Sequence, residues 1–190
     1  MKVIKSRITE NKLISPKIYK LVIESDKLNE DIKPGQFFML KTLDNAFLLP
    51  RPISVNDTEE NKVTFLYRVE GMGTTTVSKM RKDDEIQIFG PLGNGFDMNM
   101  LKGKIAIVGG GIGIAPLLYL AKKLGKSADV YLGYRDSVYI AEEFENYSNS
   151  LVIVTEDGKT GQKGFVTEYV KVENYDVVVT CGPEIMMNKI

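Results

Sequence analysis

A run of glycines between an apolar stretch and a helical pattern is the segment whose chemistry is easiest to specify. The run reads Gly109-Gly110-Gly111-Ile112-Gly113-Ile114-Ala115-Pro116. Glycines at such a position let the backbone approach a pyrophosphate, and the start of the helix offers unpaired N–H groups and a partial positive charge. The order differs from the dinucleotide-binding pattern G-x-G-x-x-G, because Ile114 or Pro116 falls at its last position. The run predicts a phosphate-binding loop, and a tight turn that holds no ligand remains the alternative.

Two segments of the first half carry residue types that suit a phosphate. Arg51-Pro52-Ile53-Ser54 combines an arginine, the natural partner of a phosphate, with a hydroxyl that can hydrogen-bond the edge of a heterocycle. Gly71-Met72-Gly73-Thr74 puts small residues and a hydroxyl at the start of a predicted helix, where an anion can bind. A solvated strand end would explain the first segment equally well, and an ordinary threonine cap would explain the second.

Two segments of the second half follow predicted strands. Cys181-Gly182-Pro183 lies after the last strand, and ligands bind at the carboxyl edge of a parallel sheet, although a lone cysteine is most often simply buried. Tyr134-Arg135-Asp136 follows an earlier strand. There Arg135 could pair with the 2′-phosphate of NADP and Asp136 would repel it, or the two could form an exposed ion pair. The choice between NAD and NADP stays open.

Composition narrows the possible chemistry. The chain has no histidine and one cysteine, so these residues cannot form a histidine-based triad, a histidine-ligated metal site or a cysteine cluster. An enzyme of this composition would rely on a bound cofactor for its reactive group. Lys+Arg and Asp+Glu both number 25, which removes the bulk attraction to nucleic acid. Because no apolar run suggests a membrane span or a signal peptide, we expect a cytoplasmic protein that binds neither nucleic acid nor membrane.

The first half predicts short strands separated by turn formers. Such strands favour a small antiparallel barrel, which one helix from about Thr74 to Met80 would interrupt. The predicted strands are Val3 to Ile8, Ile18 to Ile23, Gln36 to Leu40, Ile53 to Val55, Val63 to Val69 and Glu85 to Phe89.

From Lys104 strands and helices alternate, which predicts a parallel sheet. The strands are Ile105 to Val108, Asp129 to Leu132, Leu151 to Val154 and Asp176 to Thr180. The first predicted helix begins at Ile114 and ends before Gly125. Two further helices are predicted, from Tyr139 to Tyr147 and from Phe165 to Val170. We expect a boundary near Asp97 to Gly103 and therefore two domains, 1–99 and 100–190.

The order of the segments is more specific than any one of them. Arg-Pro-x-Ser, Gly-x-Gly-Thr, Gly90-Pro91-Leu92-Gly93-Asn94-Gly95-Phe96, the glycine run and Cys-Gly-Pro together resemble the ferredoxin–NADP reductase superfamily. Within it the chain is most similar to the electron-transfer subunits of class 1B dihydroorotate dehydrogenase. That likeness covers essentially the whole chain and includes Leu66-Tyr67-Arg68-Val69, Glu156-Asp157-Gly158 and Gly164-Phe165-Val166-Thr167.

The resemblance implies a barrel domain that binds FAD and an α/β domain that binds NAD. Arg51, Pro52, Ile53 and Ser54 would line the FAD, with the arginine facing phosphate and the serine facing the isoalloxazine ring. A second strip of the flavin site would comprise Leu66, Tyr67 and Arg68, and the pyrophosphate would bind the backbone N–H groups of Gly73 and Thr74.

For the nicotinamide dinucleotide, the resemblance implies a site at Gly110, Gly111 and Gly113. Cys181 would lie close to the contact between nicotinamide and flavin, with Gly182 and Pro183 beside it. Ser54 and Cys181 are the catalytic candidates.

In the family, NADH passes a hydride to FAD, and electrons leave singly through a [2Fe-2S] cluster. They reach an FMN-bearing catalytic subunit that oxidises dihydroorotate to orotate in pyrimidine biosynthesis, which implies a hetero-oligomer. The family holds the cluster with four cysteines of a C-terminal segment, whereas this sequence stops at Ile190 and contains only Cys181. We expect a truncation here, and no cluster bound by these residues.

Two alternatives share much of this pattern. The chain could be the reductase subunit of a sulfide dehydrogenase or of an NADH-dependent ferredoxin:NADP oxidoreductase. It could also be a flavin-binding module without catalytic activity.

Overall fold

The protein consists of two compact units, Met1–Phe96 and Asp97–Ile190. The computed structural model describes residues 3–28, 31–43 and 49–190. Among those residues no helix is long and apolar enough to cross a membrane.

The first unit is a closed antiparallel barrel, as the strand pattern predicts. Its strands follow one another around the barrel in the order β1-β2-β5-β4-β3-β6, and one helix, α1, lies between β5 and β6 in sequence. The elements are β1 Val3–Ser15, β2 Ile18–Glu24, β3 Phe37–Thr42, β4 Arg51–Glu59, β5 Lys62–Arg68, α1 Met72–Lys79 and β6 Glu85–Leu92.

Alternation along each strand fills the interior of the barrel, because successive side chains of a strand point to opposite faces. Leu21 and Ile23 of β2 and Phe65 of β5 are fully buried in this way. Phe38 of β3 meets Phe65 edge to face, with ring centroids 5.9 Å apart. This apolar interior lets the barrel act as a rigid support for residues on its rim.

The second unit is a parallel sheet in the order β10-β9-β8-β7-β11. Every residue of the interior strand β7 is buried, as its continuous apolar sequence predicts. The elements are β7 Ile105–Gly110, α2 Ala115–Leu124, β8 Ala128–Tyr134, α3 Ala141–Glu145, β9 Ser150–Thr155, β10 Gln162–Lys163, β11 Val177–Cys181 and α4 Glu184–Met187. Short 3-10 turns occupy Met98–Met100, Gly111–Ile114, Val166–Glu168 and Val172–Asn174.

The helix predicted from Phe165 to Val170 is wrong, since only the single turn Val166–Glu168 forms there. Two contacts hold the segment in that shape. The Glu168 carboxylate accepts the N–H of Phe165 at 3.2 Å, and Val166 packs into a buried cluster with Val108 and Val154 of the sheet. Burial of Val166 against the sheet therefore outweighs the helical pattern of the sequence.

Candidate functional site

The first candidate site lies where β4 and β5 part. β4 and β5 form an antiparallel ladder that is interrupted by a bulge at Asn56 of β4. The ladder ends just beyond this bulge, with the pair of Val55 and Phe65. Beyond that pair, Arg51–Ser54 pair with β3 and Leu66–Arg68 pair with β2. The two predicted flavin strips thus begin at neighbouring positions, at the point where β4 and β5 stop pairing with each other. Backbone N–H and C=O groups along such a gap can hydrogen-bond a planar heterocycle.

Arg51 and Gly73 meet beside this gap. An ideal Cβ at Gly73 would lie 2.5 Å from Nε of Arg51 and 3.1 Å from its Cγ. Gly73 is buried and Arg51 is half-buried, so the arginine stem lies directly over the glycine. Two of the predicted site residues, far apart in the sequence, are therefore in contact, and a side chain at position 73 would displace Arg51.

The first turn of α1 supplies backbone donors next to Arg51. Gly71 precedes the helix and contributes no side-chain cap, so the first N–H groups of α1 receive none. The Thr74 hydroxyl accepts the N–H groups of Glu70 and Gly71 at 3.0 and 3.2 Å and donates to the Gly71 carbonyl at 3.0 Å. Because this hydroxyl closes the turn, Thr74 can offer an anion only its backbone N–H.

In the 66–68 strip, fewer side chains are accessible to a ligand than the sequence suggests. Leu66 and Tyr67 are each only 2% exposed. The Tyr67 hydroxyl donates to Oδ1 of Asn11 at 3.1 Å, and burial raises the pKa of the Tyr67 phenol. Arg68 is exposed, with Nε 3.0 Å from the Glu70 carboxylate. Arg68 can reach a ligand with its side chain, whereas Leu66 and Tyr67 can contribute only backbone groups.

Along β4 the remaining candidates alternate between the two strand faces. Arg51 and Ile53 are half-buried on the face that includes buried Val55, while exposed Pro52 and half-buried Ser54 occupy the other. Arg51 and Ser54 can therefore contact different parts of an extended ligand.

In the second unit the glycine run contacts the Cys-Gly-Pro segment, because β7 pairs with β11 and Gly109 lies opposite Cys181. An ideal Cβ at Gly113 would lie 2.5 Å from the Cys181 carbonyl oxygen and 2.6 Å from Cα of Gly182. One at Gly182 would lie 3.1 Å from both N and O of Gly110. The two segments therefore meet backbone to backbone, and their glycines permit it.

The three candidate glycines of the run differ in what surrounds them. Gly111 has a φ of +53° and nothing within 4 Å of an added Cβ, so its backbone is open to an approaching group. Gly110 is covered by the Met186 sulfur and by Pro183, whose Cδ lies 3.2 Å from that position. Gly110 and Gly113 are in close contact with neighbouring atoms, and Gly111 is the one of the three that faces open space.

Cys181 is half-buried, and burial raises the pKa of its thiol. The thiol is therefore protonated at neutral pH, unlike the thiolate of a nucleophilic cysteine. The position suits a small apolar contact more than covalent catalysis.

We expect alkylation of Cys181 by iodoacetamide at pH 8 to be slower than alkylation of free cysteine, because only the thiolate reacts and burial raises the pKa of this thiol. The rate should climb as the pH rises through the raised pKa, which a pH–rate profile by mass spectrometry measures. The urea-unfolded protein is the control, since the chain has one cysteine. A native rate at neutral pH equal to the unfolded one would contradict the burial argument.

At the carboxyl ends of β8 and β9 the two loops are tied together. The N–H of Glu156 donates to the carbonyls of Tyr134 and Arg135 at 3.3 and 3.2 Å. Tyr134 is buried and its hydroxyl donates to the Tyr139 carbonyl at 2.8 Å, while Arg135 and Asp136 are exposed. One charge of each sign is therefore exposed at this edge of the sheet.

Sequence reasoning missed Asn11, which joins Tyr67 to α1, and the cover that Met186 gives the glycine run. The predicted strand Val3 to Ile8 stops before Asn11, whereas β1 continues to Ser15, so the sequence carried no signal for this residue. Across residues 3–28, 31–43 and 49–190, no group of three His, Cys, Asp or Glu side chains could hold a metal ion.

Solved structures with the same architecture are of the ferredoxin reductase type. The NADH-dependent reduced ferredoxin–NADP oxidoreductase is 26% identical with a TM-score of 0.81, over 96% of this chain and 69% of that one. A ferredoxin–NADP+ reductase from Plasmodium falciparum, 16% identical, shares the fold with a TM-score of 0.79 over 98% of this chain and 88% of that one. The barrel and the parallel sheet thus define a ferredoxin reductase-type protein. No family model matches the chain.

Curated relatives identify the family. The electron transfer subunit of dihydroorotate dehydrogenase B (NAD(+)) from Clostridium acetobutylicum is 45% identical over 185 residues, which are 97% of this chain and 74% of the relative. The same subunit from Clostridium perfringens is 47% identical over 195 residues, covering 100% of this chain and 77% of the relative. The chain belongs to the family of dihydroorotate dehydrogenase B electron transfer subunits, which confirms the resemblance found in the sequence.

Proposed function

We propose that this chain is an oxidoreductase subunit that moves reducing equivalents between NAD(H) and FAD for a dihydroorotate dehydrogenase. Family membership supports the activity. The observation that carries the flavin assignment is the contact of Arg51 with Gly73 at the first turn of α1. It joins a positive charge to the backbone N–H groups of a helix start that has no side-chain cap, which together suit a pyrophosphate.

In this proposal, residues 1–99 bind FAD, and different residues of the first unit contact different parts of it. The Arg51 guanidinium neutralises phosphate, and the N–H groups of Gly73 and Thr74 hydrogen-bond it. Ser54, on the other face of β4, supports the ring edge together with the backbone of the 66–68 strip. Arg51, Gly73 and the first turn of α1 form the phosphate cradle of this proposal. Glycine suits position 73 because a Cβ there would lie 2.5 Å from Nε of Arg51.

Residues 100–190 bind NAD(H) in this proposal, the coenzyme that the names of the relatives specify. Gly111 admits the dinucleotide backbone, and Pro116 in the first turn of α2 requires no N–H partner. The protonated Cys181 thiol, with Gly182 and Pro183, adds an uncharged contact. When bound, the flavin and the nicotinamide supply hydride exchange, and the protein supplies orientation and a shielded site.

The family's [2Fe-2S] cluster does not fit the residues present here. It needs four cysteine ligands, and the sequence contains Cys181 alone. We assign no step to a cluster on these residues. The name electron transfer subunit, which the relatives bear, supports a catalytic partner. In our proposal that partner is the FMN-bearing dihydroorotate dehydrogenase subunit, in a hetero-oligomer.

An absorption spectrum before and after anaerobic addition of NADH tests the proposed function. We expect the protein to take up FAD, to become yellow, and to lose its visible flavin band with NADH. Turnover of ferricyanide above that of free FAD would exclude a purely binding module. Protein that takes up no FAD, or whose flavin stays oxidised with excess NADH, would refute the proposal.

A second candidate is a reductase subunit of the NADH-dependent ferredoxin:NADP oxidoreductase type, favoured by the TM-score of 0.81 to that structure. Addition of a dihydroorotate dehydrogenase catalytic subunit with dihydroorotate distinguishes the two. Stable complex formation with that subunit favours the pyrimidine role, and selective turnover with ferredoxin and NADP favours the second candidate.

A further inference from the structure

We propose that Asn11 is a positioning residue for the FAD site, which holds the last turn of α1 so that its first turn stays against Arg51. This inference rests on the proposed function. The contacts of Asn11 are the Tyr67 hydroxyl and the carbonyls at the end of α1, and it acts on the Arg51–Gly73 contact through the helix.

The amide of Asn11 occupies the end of α1. Its Nδ2 donates to the carbonyl of Val77 at 2.8 Å and to the carbonyl of Met80 at 2.9 Å. The last carbonyls of a helix lack the regular helical partner and take donors from elsewhere. The Val77 carbonyl also accepts the N–H of Met80 at 3.1 Å, so the Asn11 amide adds a second donor there, caps the Met80 carbonyl and fixes the end of the helix to the barrel.

The other side of the amide is fixed by the barrel. Oδ1 of Asn11 accepts the Tyr67 hydroxyl at 3.1 Å. Tyr67 is buried and stacks on Tyr19 of the neighbouring strand, with ring centroids 5.5 Å apart. Since Tyr67 is held by packing and by its strand, the amide has one orientation, with both N–H groups directed at α1.

The geometry of α1 transmits this constraint to the cradle. Gly73 and Val77 are the buried residues of α1, four positions apart and therefore on one face of the helix. The eight residues of α1 span only about 12 Å. A rotation at Val77 thus turns Gly73 away from Arg51, and it turns the first N–H groups away from the phosphate position.

A purely structural bond at this place would have a different signature. Loss of a general stabilising contact lowers stability and weakens every flavin ligand alike. Displacement of α1 lowers the affinity only for ligands that carry the pyrophosphate. FAD carries it and riboflavin does not, so the ratio of their Kd values separates the two roles.

The test compares Asn11→Ala and Asn11→Asp with wild type and with Asn149→Ala. Asn149 donates to Asp129 at 2.8 Å in the second unit, so its alanine variant also loses an asparagine hydrogen bond. Asn11→Asp retains the shape, but it loses both donors and adds a negative charge at the helix C-terminus, which the helix dipole disfavours. Kd values for FAD and riboflavin are measured by fluorescence titration at a temperature where circular dichroism reports folded protein.

We expect both Asn11 variants to raise the Kd of FAD about 10- to 30-fold, with the Kd of riboflavin changed less than about twofold. The 31P resonances of bound FAD should shift in the same variants, and Asn149→Ala should leave all three readouts at wild-type values. If Asn11→Ala does not fold, the same comparison of FAD with riboflavin is made on Asn11→Asp.

Parallel weakening of FAD and riboflavin, or unchanged FAD affinity with unchanged 31P resonances, would overturn the role of Asn11. Those outcomes leave the proposed function intact. Wild-type protein that binds neither flavin would instead refute the proposed function, and with it this inference.

Discussion

Replacement of Arg51 by alanine is expected to weaken FAD binding about 100-fold, because a charge-assisted phosphate contact contributes about 1.5–3 kcal/mol. Arg51→Lys retains the charge but loses the planar fork of donors, so we expect an intermediate Kd about 10-fold above wild type. Gly73→Val should match the alanine variant although the charge remains, since its Cβ would lie 2.5 Å from Nε of Arg51 and displace the side chain. Fluorescence titration with FAD measures all three.

Arg7→Ala and Gly71→Ala are the matched controls for this series. Arg7 is an exposed barrel arginine that pairs with Glu24 and Asp83, so its removal changes the net charge of the unit equally. Gly71 has nothing within 4 Å of an added Cβ, so its alanine variant tests a glycine substitution without a clash. Weakening by Arg7→Ala comparable to that by Arg51→Ala would show general electrostatics instead of a phosphate contact.

Much of the fold could be predicted from local pattern. Period-two alternation predicts the barrel strands, since one face of each is buried. The continuous apolar sequence of β7 predicts a parallel strand covered on both faces, and all residues of that strand are buried between two neighbouring strands. These signals are local because they depend only on which face of an element is covered.

The prediction was wrong where a tertiary contact overrides the pattern. The segment from Phe165 to Val170 has helical spacing, yet it makes one turn because Val166 is buried against the sheet. An ideal Cβ at Gly133 of β8 would lie only 2.8 Å from Val166. The sequence marks both residues but does not reveal that they face each other.

In the candidate site, too, local patterns could be predicted and tertiary contacts could not. Each glycine segment could be found from its residue types, whereas its contacts could not. Arg51 of β4 meets Gly73 of α1, and this contact depends on how the strand and the helix pack, which residue types do not reveal. The resemblance assigns Tyr67 to the flavin site, but the bond of its hydroxyl to Asn11, which belongs to a distant part of the sequence, could not be predicted.

Replacement of Gly113 by valine is expected to abolish reduction of the flavin by NADH while FAD stays bound. The new Cβ would lie 2.5 Å from the Cys181 carbonyl oxygen and 2.6 Å from Cα of Gly182. These are backbone atoms of a paired strand end, so they cannot move aside as a flexible side chain can. Such overpacking costs about 1–3 kcal/mol and displaces the glycine run from Cys181.

In the proposed site this displacement disrupts the binding position of the nicotinamide. Because small misplacements of a reacting group slow a reaction strongly, we expect the rate of anaerobic flavin reduction by NADH to fall at least about 100-fold. Stopped-flow absorbance measures that rate, and titration with FAD measures the flavin site, which lies in the other unit and should keep its Kd. Gly111→Asn is the control for folding, because asparagine tolerates the φ of +53° and meets no atom within 4 Å. It should keep the thermal stability of the wild type within a few degrees. If Gly113→Val reduced its flavin at the wild-type rate, the contact between the glycine run and Cys181 would not be part of the nicotinamide site.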